Sequence, residues 1–267
     1  MKISRRKALG LVGCTVVGGT MAATMGTSLA FTQKDKEFSW TPHKLDPAES
    51  ALVGYNGYYY KGLGCCYGAF YGIVGIMGER YGAPYSQFPF SMMEVGKSGI
   101  SEWGTICGAL LGAVSAYALF WGREERDPMV TELFRWYQKT AFPILDPGEA
   151  TNPKGVKGPI PTTVSGSPLC HISVSKWCYE TKLEAGSKER GERCARLTGD
   201  VTAKAIEIMN AKIDGKFAAL YGSTDAEKTC VECHGKGKEA AFNKTKMDCT
   251  PCHSGSEHST NKFKDHP

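Results

Sequence analysis

Several patterns that mark common enzyme classes are missing from this sequence. There is no Ser/His/Asp arrangement, no glycine-rich phosphate-binding loop and no pair of carboxylates placed for general acid–base catalysis. Signals for β-strands are few, and the basic residues are not spaced as on a nucleic-acid-binding helix, although the formal net charge is +5. We therefore expect no nucleic-acid partner. The cysteines and histidines remain as the candidate functional residues.

The N-terminal 30 residues have the layout of an export signal. A basic head with Arg5 and Arg6 precedes an apolar, glycine-rich run, and small residues at Ser28 and Ala30 predict cleavage after Ala30. The paired arginines indicate the twin-arginine route, which exports folded proteins with their cofactors, so we expect a periplasmic protein. Two alternatives stay open: an uncleaved membrane anchor, which would make the membrane a partner, and lipidation at Cys14.

Two Cys-x-x-Cys-His motifs lie in a lysine-rich C-terminal stretch that has little apolar surface to bury. Two thiols at this spacing add across the vinyl groups of one haem, and the adjacent histidine becomes the proximal ligand of its iron. Zinc also binds cysteine pairs and histidines, but two complete motifs in an exported chain favour two covalently bound haems c. The attachment residues are Cys230, Cys233, Cys249 and Cys252, and the proximal ligands are His234 and His253.

The larger, more apolar part of the chain is predicted to be mainly α-helical. Small and apolar residues recur there at helical spacing, and a stretch rich in Pro, Gly and Thr marks a long loop at 143–168. The predicted fold is a helical body domain with clustered cysteines (31–222), followed by a small, loop-rich dihaem segment (223–267). The predicted helical stretches are 48–82, 101–127, 127–142 and 187–222.

Six further cysteines lie on or beside the helices of the body. Thiolates from several helices that meet at one point can hold an iron–sulfur cluster, which needs about four of them. No compact ferredoxin-like run is present, and disulfides or small buried side chains are the alternatives that the spacing leaves open. Our predicted ligands are Cys107, Cys170 and Cys194 with Cys65 or Cys66. The full candidate set is Cys65, Cys66, Cys107, Cys170, Cys178 and Cys194.

Four stretches of the body resemble a known family. They read YNGYYYKGLGCCYGAFYGIVG, FPFSMMEVGKSGISEWGTICGALLGA, SGSPLCHISVSKWC and ERCARLTGDVTAKAIEIMNAKIDGKF. They are similar to the cysteine-rich family of redox-active proteins with a GC-x-x-G…C…C pattern. With the haem motifs appended, residues 46–253 resemble the split-Soret family of cytochromes c. This resemblance implies a homodimer whose four haems gather at one end, bis-histidine irons with ligands donated across the dimer, and a metal cluster in the body.

Four of the six histidines remain for two distal haem positions, and only one methionine, Met247, lies near the haem motifs. We predict His171 as a distal ligand, because its motif is anchored to the body and can hold an imidazole against a haem. His258 and His43 are the further candidates, and they could serve the other haem or the partner subunit. His266 lies next to the terminus.

Two histidine ligands on each iron would leave no open position for a substrate. We therefore predict an electron carrier and no enzyme: a periplasmic dihaem cytochrome that passes single electrons between redox proteins, with an iron–sulfur centre in the body. The alternative is a small-molecule reductase that uses an open haem or an exposed cluster, and it depends on the cysteines alone. A third hypothesis is a disulfide-stapled scaffold that carries haems.

The paired haem motifs generate a direct prediction. Mass spectrometry of the mature chain is expected to show two covalently bound haems, and replacing Cys230 and Cys233 by Ala is expected to remove one of them, because both thioether bonds of that haem are lost. A chain that carries zinc and no haem would contradict the prediction.

Overall fold

Eight α-helices and one two-stranded sheet make up the part of the chain that the computed structural model describes, residues 40–249. This architecture confirms the mainly α-helical prediction. The predicted signal sequence lies outside the described residues, and the domain boundaries at 30/31 and 222/223 stay predictions. No helix within residues 40–249 combines the length and the apolar character needed to cross a bilayer.

The helices are numbered in chain order. They are α1 (Pro47–Tyr59), α2 (Gly64–Phe70), α3 (Ile76–Tyr81), α4 (Gly108–Phe120), α5 (Arg123–Lys139), α6 (Cys170–Thr181), α7 (Lys188–Ile213) and α8 (Asp225–His234). A π-helical turn, Tyr71–Gly75, joins α2 to α3, and short 3-10 turns lie at Tyr60–Gly62, Tyr85–Gln87, Phe90–Gly96 and Gly148–Ala150. Strands β1 (Ala141–Phe142) and β2 (Thr163–Val164) pair antiparallel, with Ala141 opposite Val164.

Side-chain caps mark the starts of three helices. Asp46 accepts a hydrogen bond from Glu49 N (2.8 Å) at the start of α1, where Pro47 occupies a first-turn position. Ser187 and Thr224 accept equivalent bonds at the starts of α7 and α8. Helix α7 ends sooner than the predicted stretch 187–222, because Gly215 has a φ of 68° and turns the chain out of the helix.

Helix α7 is the centre of the body and packs against α1, α2, α4 and α5. Its inward face is apolar, with Leu197, Val201 and Ala205 fully buried. Leu110 of α4 and Leu133 of α5 belong to the same buried cluster. The amphipathic repeat that predicted this helix therefore produces one core shared by the surrounding helices.

Glycines allow α1 and α2 to touch through their backbones. A Cβ at Gly68 of α2 would lie 2.5 Å from the carbonyl oxygen of Gly54 and 2.8 Å from the backbone nitrogen of Tyr58. No side chain fits in that space, so the close approach requires glycine at this position. It draws α2, with its two cysteines, tightly against α1.

A left-handed turn interrupts the stretch predicted as a helix over 101–127. The five residues Ser98–Glu102 all have positive φ, between 48° and 74°, and α4 begins only at Gly108. Left-handed backbone costs L-residues about 1–2 kcal/mol each. The turn is held by backbone hydrogen bonds, which include Ser101 N to Val95 O (2.8 Å) and Gly104 N to Ser98 O (3.1 Å). These hydrogen bonds within the turn override the helical pattern of the sequence.

The contact at Gly68 generates a stability prediction. Gly68→Ala is expected to lower the free energy of unfolding by about 1–3 kcal/mol, because the new methyl group overlaps backbone atoms of α1. Thermal denaturation followed by circular dichroism measures the effect.

Gly191→Ala in α7 is the matched control. Nothing lies within 4 Å of a Cβ at Gly191, so the better helix propensity of Ala is expected to raise stability by about 0.5–1 kcal/mol. Equal melting temperatures for Gly68→Ala and the wild type would rule out the close contact.

Candidate functional site

Four cysteines from four separate parts of the chain approach one another in the body. Cys65 lies in the first turn of α2, Cys107 immediately precedes α4, Cys170 is the first residue of α6, and Cys194 lies in the second turn of α7. We call these four residues the thiol cluster. Cys107 and Cys170 stand at the N-terminal ends of α4 and α6, where the helix dipole favours negative charge on sulfur.

Backbone pairing aligns Cys107 with Cys170. Cys107 N donates to Pro168 O (2.9 Å), and Cys170 N donates to Thr105 O (2.6 Å). An antiparallel bridge between Ile106 and Leu169 completes the pairing of the two segments. The left-handed turn lies directly before the paired residues. The strained backbone of the turn therefore positions Cys107 next to Cys170.

Two glycines leave room for the sulfur atoms. A Cβ at Gly108 would collide with Sγ of Cys65, and a Cβ at Gly96 would collide with Sγ of Cys66. The start of α4 therefore rests directly on the first turn of α2. The adjacent residues Cys65 and Cys66 contact different neighbours as a result.

Burial sets the electrostatics of the cluster. It raises the pKa of the Cys65 thiol well above its ordinary value, and the nearby thiols of Cys107, Cys194, Cys170 and Cys66 add to the rise. Burial also raises the pKa of Cys170 to about 12, with Cys107 and Cys194 as the next largest contributors. The thiols of Cys107, Cys170 and Cys194 are thus all within electrostatic reach of Cys65.

The other two body cysteines are less central. Burial raises the pKa of Cys66 to about 12, and Cys107 is the one further contributor. Burial raises the pKa of Cys178 as well, and among the cysteines only Cys194 adds to it. The structure therefore favours Cys65 over Cys66 as the companion of Cys107, Cys170 and Cys194.

A cavity of about 640 Å³ opens beside the thiol cluster. Its lining includes Cys65, Cys170 and Cys194, together with Tyr58, His171 and Arg190. None of the nine cysteines within residues 40–249 is in a disulfide. In the same range, no three His, Cys, Asp or Glu side chains meet closely enough to hold a single metal ion. Three of the four cluster thiols, those of Cys65, Cys170 and Cys194, line the cavity.

Sequence reasoning missed the polar residues behind the cluster. The buried Arg193 directs Nη1 towards Sγ of Cys194 (3.9 Å) and donates from Nη2 to Oγ of Ser173 (2.9 Å). Tyr137 also donates to Ser173 (3.0 Å). Burial raises the pKa of Cys107, and the neighbouring Tyr137 opposes that rise. The sequence does contain one signal for Arg193. Arginines recur every three residues in ERGERCAR, so they share one face of an amphipathic helix.

The first haem motif lies on α8. Nδ1 of His234 is 3.0 Å from the carbonyl oxygen of Ala240, and its ring stacks on Phe242. A proton on Nδ1 places the ring's lone pair on Nε2, which is the tautomer that a metal-ligating histidine needs. The thiol of Cys249, from the second motif, is in hydrogen-bond contact with Cys230. Cys252 and His253 lie outside the described residues.

Helix α5 holds the C-terminal segment through buried charges that sequence reasoning also missed. Arg135 pairs with Glu227 of α8 at 2.5 Å, with both side chains 6% exposed, and it also donates to Lys246 O (2.9 Å). Glu132 accepts hydrogen bonds from Leu220 N (2.8 Å) and Tyr221 N (3.1 Å). The described part of the C-terminal segment is thus attached to one amphipathic helix at 220–221, Glu227 and Lys246.

The candidate distal histidines lie in two different settings. His171 is exposed at the cavity, next to Cys170, and its Nδ1 is 3.3 Å from Oγ of Ser175. His43 stacks on Tyr81 with ring centroids 3.9 Å apart. His258 lies outside the described residues, as does His266. The structure brings His171 together with the cysteines, and the roles of His171 and His43 as haem ligands stay predictions.

Comparisons with known proteins agree with the predicted resemblance. Residues 60–208 match the family model described as "Putative redox-active protein (C_GCAxxG_C_C)". The split-Soret cytochrome c of Desulfovibrio desulfuricans (strain ATCC 27774) is 55% identical over 281 aligned residues, which cover 100% of both chains. A solved structure described as "A novel iron centre in the split-Soret cytochrome c from Desulfovibrio desulfuricans ATCC 27774" matches with a TM-score of 0.80 and 59% identity. The match covers 86% of this chain and 97% of that one.

The buried ion pair between Arg135 and Glu227 generates a prediction. Arg135→Met is expected to lower the free energy of unfolding by about 3–5 kcal/mol, because Glu227 is left buried without its partner. Limited proteolysis is expected to cut the C-terminal segment faster.

Two further variants test this interpretation. The double variant Arg135→Met/Glu227→Leu is expected to recover part of the loss, because no unpaired charge remains. Asp225→Asn removes a solvent-exposed partner of Lys228 and is expected to change nothing measurable. Wild-type stability and wild-type proteolysis in Arg135→Met would show that the pair does not fasten the segment.

Proposed function

Because the chain belongs to the C_GCAxxG_C_C family of redox-active proteins, we propose that it is a dihaem c-type cytochrome that passes single electrons between redox proteins. The chain is 55% identical to a split-Soret cytochrome c over its full length, and this similarity establishes the coarser assignment, a redox protein of the cytochrome c type. The proposal extends to a non-haem iron centre in the body. One observation carries it: the thiol cluster and a Cys-x-x-Cys-His helix occur in the same chain.

The residues of the C-terminal segment fit covalent haem. Cys230 and Cys233 are three residues apart on α8 and so lie on one face of the helix, with His234 directly after them. The carbonyl of Ala240 holds the imidazole in its ligating tautomer. When bound, haem supplies reversible one-electron chemistry at iron and an apolar surface on which the polar segment can pack. The second motif, from Cys249 onward, gives the second attachment site.

The thiol cluster fits an iron–sulfur centre. Four soft thiol donors come from four rigid elements, and two of them stand at helix N-termini, which favour the thiolate form. Three of these thiols, those of Cys65, Cys170 and Cys194, line a cavity of about 640 Å³, which has room for a group of several atoms. We propose Cys65, Cys107, Cys170 and Cys194 as the ligands, which leaves Cys66 and Cys178 outside the set.

The cellular setting is part of the same proposal. The twin arginine near the N-terminus supports export to the periplasm after the body has folded. The family resemblance supports a homodimer with its haems gathered at one end. Distal ligation by His171, His258 or His43, from the same subunit or its partner, would saturate both irons and restrict the protein to electron transfer.

A small-molecule reductase is the second candidate, and the cavity beside the thiol cluster favours it. The cavity gives a ligand of modest size access to Cys65, Cys170 and Cys194, and Arg190 and Lys97 line it with positive charge. Carbon monoxide separates the two candidates at the haems. A saturated electron carrier leaves its spectrum unchanged when carbon monoxide is added to the reduced protein, whereas an open haem iron binds the gas.

The assignment of the four ligands is testable in protein purified without oxygen. Cys107→Ser is expected to abolish non-haem iron, acid-labile sulfide and any cluster signal in electron paramagnetic resonance, while the haem content stays at the wild-type level. Cys178→Ser is the matched control and is expected to keep all three. Full retention of non-haem iron in Cys107→Ser would exclude the proposed ligand set.

A further inference from the structure

Arg193 is a buried cation without an ionic partner among the described residues. Its side chain belongs to the innermost part of α7, with the residue 1% exposed. Its guanidinium reaches Ser173 (2.9 Å) and Sγ of Cys194 (3.9 Å), and its Nε has no hydrogen-bond partner. Within residues 40–249, no carboxylate oxygen lies within 4.0 Å of it.

The other buried arginines of the described part show what this one lacks. Arg135 pairs with Glu227 at 2.5 Å, and Arg196, one turn beyond Arg193 on α7, pairs with Glu192 at 2.6 Å. Each of these guanidinium groups therefore has its charge balanced inside the protein. Arg193 is equally buried, and its charge is not balanced in this way.

One carboxylate within electrostatic reach of Arg193, that of Asp200, is already engaged. Its two carboxylate oxygens accept hydrogen bonds from Ile144 N (2.9 Å) and Leu145 N (2.7 Å). Burial raises the pKa of Asp200 to about 6, although the charges of Arg193 and Arg196 oppose that rise. Asp200 thus stabilises the loop after β1 and forms no ion pair with Arg193.

A guanidinium keeps its charge in a protein, so Arg193 cannot escape the cost of burial by losing a proton. An isolated buried charge is unfavourable by several kcal/mol unless an opposite charge is placed next to it. The groups that bond to Arg193 or interact most strongly with its charge are the hydroxyls of Ser173 and Tyr137 and the thiols of Cys194 and Cys107. Of these groups, the thiols are the ones that become anions on binding a metal.

We propose that Arg193 is the buried counter-cation of the iron centre, a positioning residue whose charge holds the bound group and raises its reduction potential. This inference rests on the proposed function and adds a property to it: the thiolate-bound group carries net negative charge on the side of Cys194 and Cys107. A cation at this place stabilises the more negative, reduced state over the oxidised state, so its removal lowers the potential.

Ser173 fixes the direction of the guanidinium. It accepts hydrogen bonds from both Arg193 (2.9 Å) and Tyr137 (3.0 Å), and Tyr137 contacts Cys107. Arg190 approaches Cys194 from the cavity side and donates to the hydroxyl of Tyr58 (3.4 Å). Because Arg190 borders the open cavity, water screens its charge, and Arg193 is left as the dominant cation.

The proposal predicts effects of opposite sign in two forms of the full chain with its haems attached. In protein stripped of non-haem iron by a chelator, Arg193→Met is expected to raise the melting temperature, because an uncompensated buried charge is replaced by an apolar chain. In protein that contains the iron centre, Arg193→Met is expected to release non-haem iron to the chelator at least tenfold faster than the wild type does. Its iron centre is also expected to have a lower reduction potential than that of the wild type. Melting, iron release and redox titration give the three readouts.

Matched variants separate charge from packing. Arg193→Lys keeps the charge and is expected to stay closer to the wild type in iron release and potential. Arg196→Met removes an equally buried arginine that has its own partner, and it is expected to destabilise both forms without shifting the potential. Arg193→Gln is a second neutral variant, which keeps an N–H donor for Ser173. It is expected to behave as Arg193→Met does.

Three results would overturn the inference. They are a loss of stability in both forms of Arg193→Met, an iron release and potential equal to the wild type, or a failure of both neutral variants to fold. Absence of non-haem iron from the wild-type protein is a different outcome, because it refutes the iron centre of the proposed function itself. Wild-type protein that contains the centre, with variants that do not differ from it, refutes only the role of Arg193.

Discussion

The backbone contact between α1 and α2 at Gly68 is the constraint on which the body depends. Because α2 lies so close to α1 and α7, Cys65 in its first turn comes within electrostatic reach of Cys194. The start of α4 then rests on α2 through Gly108, which brings in Cys107. A side chain at either glycine would move a helix and shift Cys65 relative to the other thiols of the cluster.

The body and the C-terminal segment of the described chain are stabilised by different interactions. The body is an apolar core around α7, with its helices brought close by glycine. The haem-motif segment has few apolar side chains and is fastened to α5 by Arg135 and Glu132, whose charges are matched by Glu227 and by backbone N–H groups. Apolar contacts tolerate small shifts, whereas a buried ion pair requires one geometry. The pair between Arg135 and Glu227 therefore fixes the position of the short helix α8 against α5.

Helix periodicity in the sequence was enough to predict the fold class. The gathering of distant cysteines was a hypothesis that periodicity left open and the family resemblance supported. Periodicity was not enough to place the break at Ser98–Glu102, because that turn is stabilised by irregular backbone hydrogen bonds within residues 95–105, which leave no periodic signal. Arg135 and Arg193 were missed for a related reason. A charged residue on an amphipathic helix normally faces solvent, and only the packed structure shows that these two face inward. The choice between Cys65 and Cys66 likewise depends on which glycine each sulfur faces.

The wide separation of the four cluster cysteines along the chain has a consequence for assembly. A long segment separates each cluster cysteine from the next. Closing these segments costs chain entropy, which is offset only when the whole core has formed. An unfolded chain therefore offers isolated thiols and no partial site, so a ligand that needs all four binds the folded state almost exclusively. By mass action, binding of such a ligand therefore stabilises the folded state by an amount that grows with ligand concentration.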